Sequence, residues 1–408
     1  MATSGRSRVL VVALTALVLV GCSTSGPAPV GQAGSPGPTA SAATSVPQGP
    51  APSDLPSPGP TPGATVSDAK PCRVDLPAPW SAALKQGVVT PAKGEVVTVA
   101  LGTADGTTFV VSDVEGRHHR FEWRRGTERG VVQDFGLHHP EWQVLGATWD
   151  GRHLAYRVDR SYSSFEDFAL YVWDSRGTHQ PVEVAHGEPD RHGDLMQTPF
   201  VDPVLADGWL YWTQTRDADP DHTVLSARRL SDGHVERLSK GYGRAPVRFG
   251  ADLVWSDSDR AGQTSSLRML DLATHRRVSV PAALAGVAGP YYLAGDADTL
   301  AWVGGRKGSQ VSVWRAGWPE PRLLAEDAAS PQFPRIAGQT VVYGTDDAMY
   351  AADLRSWSTA RLTPEYGSVW ADGGPVVELG FAPTTKGTPA VQTLVDTDAV
   401  GPLGRAGC

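Results

Sequence analysis

An all-β fold, a β-propeller of four-stranded antiparallel blades, is what this sequence predicts, and three observations carry the prediction. Around residues 250–280, short apolar runs at Val247–Phe249, Leu253–Trp255, Leu267 to Leu270 and Val278–Val280 alternate with turn clusters, leaving no room for an amphipathic helix. A turn followed by an apolar run, usually aromatic-tipped, then recurs through the chain: DGTTFVV, DGRHLAY, DGWLYW, GADLVW, DADTLAW, AGQTVVY and DGGPVVEL. Finally, an apolar pair, a polar turn and a second apolar pair repeat in phase with it, as in ARRLSDGHVERL and RMLDLATHRRVSV. A unit of four strands recurring about every 40 residues is the mark of a propeller blade.

From Val111 the tips step by 45, 56, 43, 47 and 41 residues to Tyr156, Trp212, Trp255, Trp302 and Tyr343. Seven blades follow, with six or eight left open and a β-sandwich or β-helix as the alternative architecture. Trp255, Leu267 and Val278 are the expected packing residues between blades. The 56-residue step contains AHGEPDRHGDLMQTP, too polar for a strand and read as an insertion on one face. The last unit lacks an outer strand. Glu95–Leu101 either supplies it, closing the ring, or belongs to the first blade.

Ahead of the repeats, residues 1–21 read as a signal peptide: Arg6 and Arg8, then an apolar core over Val9–Val20, then Gly21. The run Leu19, Val20, Gly21, Cys22 resembles the lipobox of bacterial lipoproteins. That resemblance implies acylation of Cys22 and a mature protein tethered to the extracytoplasmic face of the cell membrane by lipid alone. Residues 22–70 are rich in Pro, Gly, Ser, Ala and Thr and read as a disordered spacer, holding the 71–408 propeller ~35–40 Å from its anchor. With Cys22 lipidated, Cys72 and Cys408 bracket the folded part, and an exported ring brings its ends together. A Cys72–Cys408 disulfide is expected.

Lys and Arg total 36 and Asp and Glu 44; without Arg6 and Arg8 the balance is near -10, which argues against nucleic acid as a partner. DGRHLAY, preceded by Ala147, Thr148 and Trp149, resembles the WSPDGRxIAF-type repeat of TolB-like propellers, and LDLATHRR and DLRSWSTARLT resemble the turn segment that follows it. The resemblance spans about residues 95–396 and departs at blade two, where Ser-Pro is missing before Asp150. It implies a fold and a habit of binding, without catalytic residues. Lipobox, Pro-rich spacer and propeller together look like secreted lipoproteins of high-GC Gram-positive bacteria.

Loops joining second to third strands and blade to blade open on one face, and here they are the long, charged ones. They nominate Arg160, Glu166, Asp167, Asp190, His192, Arg216, Asp217, Tyr242, Arg244, Asp257, Asp259 and Arg306 as the binding face. Asp217, Asp219 and Asp221 resemble the start of a calcium loop but lack its Gly and final acid, so no cofactor is assigned. His118–His119 and His138–His139 are poor metal pairs because strand neighbours point to opposite faces. His186 and His192, with Asp190 and Asp194, are better placed to converge. No Gly-x-Ser-x-Gly elbow occurs, and TADGTTF is one residue short of an Asp-box. The reading is a monomeric, non-catalytic binding or scaffold module for a protein or cell-envelope glycan, its alternative a glycan hydrolase or lyase using funnel carboxylates.

Overall fold

In the computed structural model the described residues are 70–404, except 138, 140, 161–166, 178–179, 197–201, 240, 242, 259–264, 288, 305–308, 327–331, 346–347, 364–366 and 382–390. The signal peptide, Cys22, the spacer up to residue 69 and Cys408 therefore lie outside the described residues.

Strand β1 (Cys72–Val74) and helix α1 (Ala78–Gln86) precede seven sheets. Blade 1 is β2 (Glu95–Gly102), β3 (Thr108–Val114), β4 (His118–Arg125) and β5 (Glu128–Asp134). Blade 2 is β6 (Gln143–Trp149), β7 (His153–Asp159), β8 (Phe168–Asp174) and β9 (Val182–His186). Blade 3 is β10 (Val204–Ala206), β11 (Trp209–Arg216), β12 (Asp219–Arg229) and β13 (Val235–Arg237). Blade 4 is β14 (Gly243–Phe249), β15 (Asp252–Ser258), β16 (Ser265–Asp271) and β17 (Arg276–Val278). Blade 5 is β18 (Tyr291–Gly295), β19 (Thr299–Gly304), β20 (Gln310–Arg315) and β21 (Arg322–Ala325). Blade 6 is β22 (Gln332–Ala337), β23 (Thr340–Gly344), β24 (Met349–Asp353) and β25 (Ser358–Thr363). Blade 7 has three strands, β26 (Gly367–Trp370), β27 (Val376–Phe381) and β28 (Val391–Asp396), followed by the short helix α2 (Thr397–Val400).

The fold is thus the seven-bladed propeller that the repeats predict, each blade an antiparallel meander in chain order. Second strands are covered by a blade on either side and so read as unbroken apolar runs; every residue of β19 is buried. Outer strands face solvent, and all three residues of β17 are exposed. This corrects one packing expectation: Trp255 and Leu267 are buried between blades, but Val278 is 39 % exposed on that outer strand. The Asp-Gly turns between first and second strands place the Gly at positive φ, as at Gly106, Gly151 and Gly373, and in blade 3 both central residues take it, Asp207 at 49° and Gly208 at 79°.

Closure differs from both alternatives in part. Glu95–Gly102 is the innermost strand of blade 1, and the missing edge of blade 7 is filled by residues ahead of it. Val88 bridges Thr393, Val89 N–H donates to Gln392 O at 2.9 Å, and Leu394 N–H donates to Gly87 O at 3.0 Å. Just upstream, β1 adds a fifth, parallel strand to blade 6, and Trp80 of α1 is wholly buried in the core between blades 6 and 7, its Nε1–H on Gly401 O at 3.1 Å. One N-terminal segment therefore stitches blade 6 to blade 7 before entering blade 1.

Six apolar clusters fill the six seams from blade 1–2 to blade 6–7. At roughly 2 kcal/mol per buried large side chain, each outweighs any single polar contact at ~1 kcal/mol. No such cluster joins blade 7 to blade 1 among the described residues. There Gln392 bridges instead, its Oε1 accepting from Val99 N–H at 2.7 Å and its Nε2 donating to Glu378 Oε1 at 3.1 Å.

Candidate functional site: a charged ladder across the axis

The side chains that meet at the centre of the ring come from equivalent positions of the innermost strands. Thr148 pairs with Ala155, Arg335 with Val342 and Trp370 with Glu378, each one residue before the tip of its second strand. Arg335 stacks on Trp370, its Cζ 4.4 Å from the ring centroid, and its Nη2 donates to Asp202 Oδ2 at 3.3 Å. Trp370 Nε1–H reaches Ala147 O at 3.3 Å, and Asp372 Oδ2 accepts the Trp149 N–H at 2.8 Å. Blades 3 and 6 are three places apart in a ring of seven, and blades 7 and 2 have blade 1 between them. These contacts therefore cross the axis, and Trp370 with Arg335 obstructs the channel at that level.

Charges alternate along the crossing. Asp159 accepts from Arg157 Nε at 2.5 Å; Arg157 and Arg335 both act on Asp202; Arg335 and Arg248 both act on Asp372; and Arg248 acts on Asp296. Burial is the dominant influence on all four carboxyls and pushes each upward, against the neighbouring arginines. Asp372 goes furthest, to about 7: the residue is exposed to solvent, but protein surrounds it at longer range, as for a group inside a funnel. Glu378, opposite Trp370, has no cation beside it among the described residues, and burial takes it to about 8. Such an amphoteric lining can hold both charged ends of a zwitterion. Among the described residues it contains no Ser or Cys nucleophile beside a base.

The residues nominated from the loops are not gathered into one site. Glu166, Tyr242, Asp259 and Arg306 lie outside the described residues. Arg160 Nη2 donates to Tyr171 Oη and to Glu183 Oε2, each at 2.8 Å, and its Nη1 lies 3.9 Å from Asp167 Oδ1. Arg216 pairs with Glu188 in a separate cavity of about 310 Å³, which Glu183, His186 and Gln214 also line. Asp190 caps its own turn, accepting from His192 N–H at 2.7 Å and Asp194 N–H at 3.0 Å, and these hydrogen bonds hold its carboxyl low. Asp217 faces His222 Nδ1 at 3.0 Å and Arg237 Nη1 at 3.8 Å. Asp257 lies 3.6 Å from Arg268 Nε, and Arg244 is exposed.

Loop composition missed the axial residues: Arg157, Asp159, Arg248, Arg335 and Trp370 sit on strands, and Asp202, Asp296 and Asp372 in the connections beside them. The available signal was an arginine in QFPRIA and a tryptophan in GSVW, at a position where the other inner strands carry Val, Ala or Thr.

No family model matches the chain, and no curated protein matches it. Among solved structures it is similar to a protein from a study of two prolyl endopeptidases and their inter-domain dynamics, at 15 % identity and a TM-score of 0.52, covering 79 % of this chain and 50 % of that one. It is also similar to a puromycin-hydrolyzing peptidase of Mycobacterium tuberculosis (16 % identity, TM-score 0.47, 83 % and 56 % covered) and to TolB from Acinetobacter baumannii (15 % identity, TM-score 0.38, 68 % and 69 % covered). The chain spans about half the length of the peptidases it resembles. The reading as a non-catalytic binding or scaffold module, with an envelope-glycan hydrolase or lyase as its alternative, is corrected by the first of these neighbours, whose propeller belongs to a peptidase study; at 15 % identity the likeness itself shows the fold alone. A propeller repeat encodes architecture and carries no record of the chemistry it serves, so the sequence had no means to separate these functions.

Proposed function

We propose that this chain is the propeller of a peptidase, taking peptide into its central channel for cleavage. The charged ladder across the axis carries the reading, because it offers alternating carboxylates and guanidinium groups to the amide and charged groups of a peptide. No Gly-x-Ser-x-Gly elbow occurs in the 408 residues, and the proposal assigns no hydrolytic residues within them. Titrating a fluorescently labelled, proline-containing peptide with the purified full chain should give saturable anisotropy, and Arg335→Ala should weaken it at least tenfold. Absence of saturation, or an affinity indifferent to Arg335, rejects the reading.

Anchorage at the extracytoplasmic face through Cys22, the 22–70 spacer and a Cys72–Cys408 disulfide complete the proposal. For the disulfide the support is proximity: Cys72 pairs with Ser358 in the β1–β25 register, and a Cβ placed on Gly404 would lie 3.0 Å from Ser358 Oγ and 3.5 Å from Val74 Cγ1. Four further residues reach Cys408, a span of up to ~13 Å. Cys22→Ser should move the protein from the membrane to the medium, and non-reducing mass spectrometry should find residues 72 and 408 linked.

A further inference from the structure

The geometry points to Arg335 as a two-position latch, resting on Asp202 and Trp370 while the channel is closed and drawn toward Asp372 when that carboxyl is charged. The latch regulates the channel of the proposed function and rests on that reading for its purpose, though not for its existence.

Three observations set it up. Two carboxyls from different blades act on Arg335: its Nη2 donates to Asp202 at 3.3 Å, its Nη1 to Pro334 O at 3.4 Å, and it is under the field of Asp372. Its guanidinium lies over Trp370, Cζ 4.4 Å from the ring centroid, and Trp370 stands two residues before Asp372 in the chain, so a move of the guanidinium toward Asp372 would change the stack on the indole. Asp372 itself is fixed by Trp149 N–H at 2.8 Å and by the Thr148 side chain, so the arginine, on its longer stem, is the partner able to travel.

The charged groups facing Asp372 are Arg335 from β22 and Arg248 from β14; Asp296, after β18, competes for Arg248. Arg335 in turn faces Asp202, which Arg157 of β7 also holds. Below neutral pH the protonated Asp372 leaves Arg335 to Asp202. Above it, two carboxylates compete for one guanidinium. The carboxyl is poised for this, since burial brings its midpoint to about 7.

The test follows the Trp370 indole in the full chain, labelled with ¹⁵N at tryptophan and assigned through Trp370→Phe, from pH 5 to 9. The expected result is one step in the Trp370 resonance near neutral pH, absent in the isosteric Asp372→Asn and absent in Arg335→Met. If Arg335→Met does not fold, Arg335→Lys should shrink the step, because an ammonium does not stack on the indole. A wild-type indole that does not titrate, a step that survives Asp372→Asn, or a step undiminished without the guanidinium overturns the latch. Peptide plays no part in this readout, so the latch and the peptide-channel reading can fail separately.

Discussion

Glu378→Gln isolates the charge of the most displaced carboxyl near the axis. Glu378 is 7 % exposed, and burial holds its pKa at about 8, against 4.5 for the same group in an unfolded chain. Between those values the folded protein keeps a proton that the unfolded chain has lost. Stability attributable to this group is therefore fully present below pH 4.5 and falls as pH rises through 8, with a slope of about 1.4 kcal/mol per pH unit. Integrated over the window, wild type loses up to about 5 kcal/mol that the glutamine variant retains. Gln also preserves the acceptor for Gln392 Nε2, so the seam geometry is conserved. Urea unfolding at unit steps from pH 5 to 9 is the assay. The two proteins should be closest at pH 5 and diverge up to pH 8, with the variant the more stable, and then run parallel. A gap that is constant across the range, or a variant less stable at pH 8, refutes the assignment of a neutral, buried Glu378.

Other substitutions probe the closure and the outer surface. Gly87→Ala places a Cβ 1.9 Å from Leu394 O, so the closing strand must shift; a loss of ~1–3 kcal/mol in thermal unfolding is expected, although its φ of -75° suits any residue. Glu95→Gln addresses the opposite sign of linkage. Burial pushes this carboxyl up, but Ser112 and Arg124 overrule it and hold it at about 2, so it adds up to about 3 kcal/mol above pH 4.5, lost as pH falls through 2. Wild type and variant should differ at pH 7 and converge near pH 2. Val278→Thr, on the exposed outer strand, should change stability by less than ~0.5 kcal/mol in the same assay.

What was legible in the sequence follows from periodicity. Second strands are buried on both faces, so selection for packing writes the same apolar, aromatic-tipped run into each blade, and those runs at 153–159, 209–216 and 252–258 are found where the pattern places them. The clasp was illegible because it occurs once: β1 is three residues long, and the edge of blade 7 is made by a single bridge at Val88. Trp80 marks it only after the fact, as an apolar anchor in a segment with no repeat to compare it with. The axial ladder was hidden for a different reason. Arg335 and Trp370 lie inside strands that otherwise match the repeat, and the contacts that define them, to Asp202 and Ala147, span 133 and 223 residues. Nothing local in a sequence reports a meeting across a ring.

The ladder and the closure are bound to each other by where their members sit in the chain. Arg157 and Asp202 belong to the early blades, Arg335, Trp370 and Asp372 to the late ones, and the Trp149–Asp372 and Trp370–Ala147 hydrogen bonds exist only while blade 7 stays beside blade 1. That seam has no apolar cluster among the described residues and leans on Gln392, so the ring is weakest where the axis most needs it closed. Conversely, any ligand that engages both halves of the ladder holds the seam shut from inside. By linkage it stabilises the closed ring by RT ln(1 + [L]/Kd), about 2.7 kcal/mol at a hundredfold excess over Kd. A peptide bound at the axis should thus raise the unfolding midpoint in proportion to the logarithm of its concentration, and Gln392→Ala, which removes the bridge between Val99 and Glu378, should weaken its binding by loosening the ring.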